Sequence, residues 1–249
     1  MKLLWRVLGK TKDLTYSLIE AITFHKGIKR IINGDEVIFP IRYSRYYPDG
    51  YEMAKQSFIN AYCSGISLDL GAHIGLYTVI MAKKSERVLA FEPTMLTRAE
   101  LRGVLELNGV TNVEIRSEAI AETSGHRNLM IRKDKISNAN GFFIQGFGVE
   151  TETISIDDLD LKIDFIKMDI EGAELEALRG ATRVLRTLKA MTLEIHPRLI
   201  SLQGNSTEEI WSLIVAGGGV IYLDSKKLSK HDFISRTDGF EIQVLFGIL

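Results

Sequence analysis

The sequence is short of several things. Its 249 residues include one cysteine, Cys63, and four prolines. A lone cysteine excludes a disulfide-stapled scaffold and a cysteine-rich zinc module, and it fits a reducing compartment. Charge of one sign is also missing, since 31 Lys and Arg stand against 32 Asp and Glu. Phosphate binding needs a basic footprint, so this balance argues against a general nucleic-acid binder. Long apolar runs are absent too. The longest, residues 213–223, has eleven residues, too few to span a bilayer as a helix. Neither internal repeats nor low-complexity stretches occur.

What remains is an ordinary soluble composition, 45% hydrophobic and 25% charged. The length suits one large domain or two small ones. The balanced total hides an asymmetry. Residues 1–60 carry ten Lys or Arg and six Asp or Glu, a net of +4; residues 61–249 carry 21 and 26, a net of −5. The expected organisation is an appendage of helix and short strand over 1–60 and a main domain over 61–249.

Leu3, Leu4, Val7 and Leu8, then Leu14, Leu18, Ile19 and Ile22, recur at helical spacing, which predicts helix from Met1 to about Ile32. Arg6 and Lys10 interrupt the apolar stretch and no small-residue cleavage site follows, against a signal peptide. Lys2, Arg6, Lys10, Lys12, Lys26, Lys29 and Arg30 surround an apolar stripe. A lid or a homodimer contact is the preferred role, with peripheral membrane contact the alternative. The expected location is cytoplasmic, with the inner membrane face as the alternative. Asn33-Gly34 signals a turn, residues 37–43 a strand, and residues 53–62 another helix.

From Ser64 onward, apolar strands alternate with helices: strands at 66–70, 87–91, 113–116, 164–168, 191–195 and 220–223, helices at 74–83, 95–108, 174–188 and 207–215. This is the rhythm of βαβ units in a mostly parallel sheet. Two departures are informative. Residues 127–132 and 149–156 are strand-like with no helix between them, predicting a β insertion at about 125–156. Residues 224–239 offer no convincing crossover helix, so the last strand, 240–248, should run antiparallel. The fold class expected is α/β, with a seven-stranded mostly parallel sheet and an antiparallel last strand.

The stretch Asp69-Leu70-Gly71-Ala72-His73-Ile74-Gly75 closes the first of these strands. Glycine permits a tight turn and close approach of a ligand, and the carboxyl end of a strand is where open α/β sheets bind ligands. His73 breaks the Gly-x-Gly-x-x-Gly dinucleotide pattern, which disfavours an NAD-dependent oxidoreductase. Asp69 would repel a pyrophosphate but suits a ligand with a positive group, such as the amine of S-adenosylmethionine. Glu92 follows 23 residues later in Phe91-Glu92-Pro93, at the distance where an acid accepts bonds from ribose hydroxyls. Ser117, Glu118 and Ala119 follow the third strand, where the adenine would lie. His73 is a candidate for the cofactor's carboxylate, and Tyr51-Glu52 for a contact from a lid.

These residues resemble the FkbM family of S-adenosylmethionine-dependent methyltransferases. The matching stretches are LDLGAHIGLYT (68–78), AFEP (90–93), DFIKMDIEGAELEALRGA (164–181) and LEIHP (193–197). The resemblance implies a class I, Rossmann-like methyltransferase fold and the cofactor S-adenosyl-L-methionine. It also implies O-methylation of a hydroxyl on a sugar, glycolipid, glycoconjugate or polyketide-like small molecule. The cofactor-binding set is then Asp69, Gly71, Ala72, His73, Gly75, Glu92, Ser117, Glu118, Ala119 and Asp169.

Methylating a hydroxyl requires the oxygen close to the sulfonium methyl and a group to take the proton. Asp169, Glu171, Glu194 and His196 are the catalytic candidates, His196 being the natural base near neutral pH. A second possibility is that Asp169, Glu194 and His196 hold Mg²⁺ or Mn²⁺, which would lower the acceptor's pKa. Glu174 and Glu176 read as acids favoured at a helix start. The alternatives to an O-methyltransferase are an N-methyltransferase of the same fold, an NAD-dependent oxidoreductase and a catalytically inactive partner-binding protein.

Overall fold

The computed structural model describes residues 26–129 and 148–247. The chain opens with a hairpin, β1 (Ile28–Ile32) and β2 (Asp35–Phe39), paired antiparallel across Asn33-Gly34. Helix had been expected through Ile32. The two turn residues instead take left-handed conformations, φ 47° and 90°, as a two-residue hairpin demands. Ile28, Ile31 and Ile32 are β-branched and sit more easily on a pleated ribbon. The strand predicted over 37–43 stops at Phe39, because Pro40 has no N–H to donate, and a 3₁₀ turn follows at Ile41–Tyr43. The basic and apolar pattern of residues 1–25 lies outside the described residues.

The main sheet contains β3 (Ile66–Leu70), β4 (Arg87–Phe91), β5 (Val113–Arg116), β9 (Phe165–Met168), β10 (Ala190–Ile195), β11 (Gly219–Leu223), β12 (Lys226–Lys227) and β13 (Phe240–Phe246). The spatial order is β12-β11-β13-β10-β9-β3-β4-β5. Five neighbouring strands run parallel, and β13 lies antiparallel between β10 and β11, as expected from the missing crossover. The eighth strand, β12, is a two-residue edge that sequence periodicity cannot reveal. Three short strands, β6 (Ala119–Ile120), β7 (Gly125–Leu129) and β8 (Val149–Ile154), form a separate sheet with β7 and β8 antiparallel. This is the β insertion, with β6 as an added edge.

The described helices are α1 (Met53–Tyr62), α2 (Leu76–Ala82), α3 (Met95–Leu107), α4 (Glu174–Arg179), α5 (Thr182–Leu185), α6 (Pro197–Leu202), α7 (Thr207–Ala216) and α8 (Lys230–Ile234). The helix expected over 174–188 is two pieces. They break at Gly180, where a Cβ would lie 2.6 Å from the carbonyl oxygen of Ala121, so only glycine lets the insertion pack this closely. Helix α6 was not anticipated; Pro197 opens it at the first helical position, where its missing N–H costs nothing.

The parallel strands are buried on both faces, which is why they read as near-continuous apolar runs. Leu68, Leu70, Leu89, Phe91, Ile166, Met168, Leu193 and Ile195 fill one face with α4, α5 and α7. Val88, Ala90, Phe165 and Ala190 face the other way, against α2, Ile59 of α1 and Ile32, Val37 and Phe39 of the hairpin. On β3, β9, β10 and β13 the polar residues fall on this second face. Asp69 and Lys167 stand side by side on β3 and β9, and Glu194 stands opposite Glu241 on β10 and β13. Trp211 packs against Phe233, with ring centroids 5.3 Å apart. Cys63 is a buried free thiol. Among the described residues, no helix is long and apolar enough to cross a membrane.

Candidate active site

A cleft opens at the carboxyl ends of β3, β4 and β9. Its floor is the turn after β3. Gly71 and Ala72 both donate their backbone N–H to the Phe91 carbonyl, at 3.1 and 3.0 Å, and Asp169 donates its own to Leu70 at 3.0 Å. Three strand ends are thereby tied together. Gly71 has φ +80°, and a Cβ there would lie 1.9 Å from the Asp169 carbonyl oxygen. The glycine read from sequence as a turn residue is also required by contact with the next strand.

Gly71, Ala72, His73, Glu92, Glu118, Ala119 and Asp169 of the proposed cofactor set line this cleft. Gly75 caps α2 in the left-handed region. Ser117 is exposed beside the cleft. Glu92 is 7% exposed. Its Oε1 accepts the Thr94 N–H at 2.8 Å and its Oε2 accepts that of His73 at 3.1 Å. Burial pushes this carboxyl up from its ordinary value despite those bonds. Glu118 is gripped by Arg116, with Nε to Oε1 at 3.0 Å, and that bond holds its carboxyl low. His73 meets the Tyr47 hydroxyl through Nδ1 at 3.2 Å. Burial, then the nearby Lys167 charge, lowers its pKa to about 4, so the ring is neutral at physiological pH.

Asp69 does not reach the cleft. It is fully buried, with Oδ2 accepting from the Thr78 hydroxyl at 2.6 Å and Oδ1 facing Lys167 Nζ at 3.2 Å. The same ammonium donates to the Gly71 carbonyl at 2.8 Å. Asp69 therefore acts on the loop from beneath, through Lys167.

The four catalytic candidates divide into two pairs. Asp169 and Glu171 line the cleft. His196 and Glu194 stand behind them, with His196 Nε2 at 3.5 Å from Glu171 and 3.7 Å from Glu194. Burial opposes charge on His196. However, the Nδ1 contact with Glu174 Oε1 at 2.9 Å and the surrounding carboxylates raise its pKa to about 9. Glu174 is no ordinary helix-start acid. It is fully buried and also accepts the Gly172 N–H at 2.9 Å, so it orients the ring. Glu176 pairs with Arg127 of the insertion. Burial, reinforced by Asp169, Glu174 and Glu194 and opposed by His196, pushes the Glu171 carboxyl up to about 7. For Asp169, burial raises and the Lys167 and Lys55 charges lower, and the cations prevail.

Asp169, Glu171 and His196 each bring one donor atom within 4.8 Å of the others. Two carboxylate oxygens and an imidazole held from behind by a carboxylate fit a divalent cation in donor chemistry. Glu194, placed in that set from sequence, lies outside it. Its Oε2 instead faces Lys55 Nζ at 3.2 Å.

Three cleft-lining residues other than glycine adopt positive φ: Glu52 (41°), His73 (51°) and Glu171 (53°). Strained backbone of this kind concentrates at functional sites. Tyr47, Lys55 and Glu241 were not foreseen as site residues. Nothing local in the sequence marks them: Tyr47 arrives on the loop after β2, packed on Phe39 and Tyr51, and Lys55 meets Glu241 because α1 packs over β10 and β13.

No curated protein matches the chain. Among solved structures, SMU.1697c of Streptococcus mutans, solved with SAH, is 10% identical, with TM-score 0.49 over 77% of this chain and 95% of that one. An rRNA methylase from Streptococcus thermophilus is 12% identical, with TM-score 0.47 over 78% and 95%. A methyltransferase from Clostridium acetobutylicum, dependent on S-adenosylmethionine, is 12% identical, with TM-score 0.44 over 77% and 90%. The methyltransferase FkbM domain matches residues 69–224, more than half of the chain and all but the outer walls of the cleft. The chain belongs to the FkbM family of methyltransferases, a class I fold whose methyl donor is S-adenosylmethionine.

Proposed function

We propose that the protein transfers the methyl group of S-adenosylmethionine to a hydroxyl, on a sugar, a glycoconjugate or a polyketide-like small molecule. The observation that supports this is the pair Asp169 and Glu171 on the wall of the cleft that Glu92 also lines. A hydroxyl loses its proton as the O–C bond forms and the C–S bond breaks, so a proton acceptor beside the methyl donor is the main demand. Glu171 suits that role best, its carboxyl being pushed up to about 7. His196 stays protonated at that pH and steadies the carboxylates instead.

Labelled methyl transfer to a panel of neutral and amino saccharides tests this, with the methylated atom identified by mass spectrometry. An N-methylated product would sink the O-methyl assignment. Because the base works deprotonated, the rate should fall about tenfold per pH unit below about 7 and level off above it. Glu171→Gln should remove that limb and lower kcat by about 10²–10⁴, while SAH affinity stays within about threefold.

A second reading has Asp169, Glu171 and His196 hold Mg²⁺ or Mn²⁺, favoured by the convergence of their donor atoms. When bound, such an ion lowers the pKa of an acceptor hydroxyl. Activity unchanged by a chelator would exclude it.

A further inference from the structure

The fully buried cation Lys55 sits at the start of α1, with its side chain 1% exposed. Its ammonium meets three carboxylates from three parts of the chain: Glu52 at 2.5 Å, Glu194 at 3.2 Å and Glu241 at 3.2 Å. Burial of this cation opposes its charge, but the carboxylates around it more than compensate and hold it protonated. One ammonium cannot satisfy three acids equally. Glu52 is the nearest, and the Lys55 charge helps hold its carboxyl below the ordinary value against the effect of burial. Glu52 is therefore held as a carboxylate. It also accepts the Tyr77 hydroxyl at 2.8 Å. It lines the cleft, and its side chain remains 24% exposed. Asp69, to which the sequence assigned the amine of the cofactor, is fully buried and already partnered.

We propose that Glu52 receives the ammonium group of the S-adenosylmethionine amino-acid tail, and that Lys55 is the positioning residue that keeps Glu52 charged and aimed. This rests on the family's use of S-adenosylmethionine. It explains the left-handed backbone at Glu52, a strained conformation that directs the carboxylate into the cleft while its own helix begins. It also explains a buried lysine that would otherwise cost stability, since a charge this deep persists only when paired.

Calorimetry with two ligands tests the proposal: SAH, and its desamino analogue, which lacks only the amine. Glu52→Gln should weaken SAH about tenfold and leave the desamino analogue unchanged. Lys55→Met should reproduce that selective loss. The double variant should be no worse than either single, because the two residues act as one unit. Lys55→Arg should recover most of the affinity. If Lys55→Met does not fold, Glu52→Gln and Lys55→Arg still decide. Selective loss in the first with retention in the second supports the assignment, and both equal to wild type overturns it. Equal losses for both ligands, or additive losses in the double variant, overturn it as well. A wild-type protein that binds neither ligand would overturn the cofactor reading itself. Wild-type binding with unselective variants would overturn only the role of Glu52.

Discussion

Glu92→Ala is expected to weaken SAH binding about a hundredfold, read by calorimetry, with the protein still folded. Two effects add. First, Glu92 lines the cleft, where an acid at the second strand end accepts bonds from ribose hydroxyls. A hydrogen bond to a charged acceptor contributes about 1.5–3 kcal/mol. Secondly, the same carboxylate holds the His73 N–H at 3.1 Å and the Thr94 N–H at 2.8 Å, so it ties the glycine turn to the start of α3. Truncation leaves both donors without that partner and loosens the loop. Glu92→Gln keeps an oxygen for one donor and should lie between the two. An Ala variant that binds SAH like the wild type would remove Glu92 from the site.

Gly71→Ala should be the most damaging single change, costing about 3–5 kcal/mol or preventing folding outright. The added Cβ would sit 1.9 Å from the Asp169 carbonyl oxygen and 2.9 Å from its carbon. Both obstacles are backbone, held by the Asp169 N–H bond to Leu70, so neither can turn aside as a side chain would. The positive φ of +80° adds a strain that alanine, unlike glycine, feels. Domains have only about 5–15 kcal/mol of net stability, so the loss is a large fraction of it. Gly75→Ala is the control. Its Cβ would meet a flexible Leu101 methyl at 2.6 Å, and its φ is also positive. It should be destabilised less. Thermal or urea melts distinguish the two, and a Gly71→Ala protein as stable as wild type would refute the contact.

The sequence by itself determined the α/β alternation, the antiparallel last strand and the β insertion, because each follows from local periodicity and from the absence of a crossover helix. It also located Gly71, Glu92, Asp169 and Glu171, since strand-end acids and a glycine turn carry their chemistry in their spacing. It could not decide which acids line the cleft. Asp69 and Glu92 read alike as strand-end carboxylates, yet the first is shut beneath the loop by Thr78 and Lys167. His196 reads as a base, yet Glu174, twenty-two residues away, makes it an acid's partner. Lys55 lies far along the chain from Glu194 and Glu241. Such meetings depend on strand register and on how α1 packs over the sheet, and a carboxylate's charge and direction depend on those neighbours. Tertiary structure alone decided them, because burial and pairing are properties of the assembled sheet that spacing along the chain does not encode.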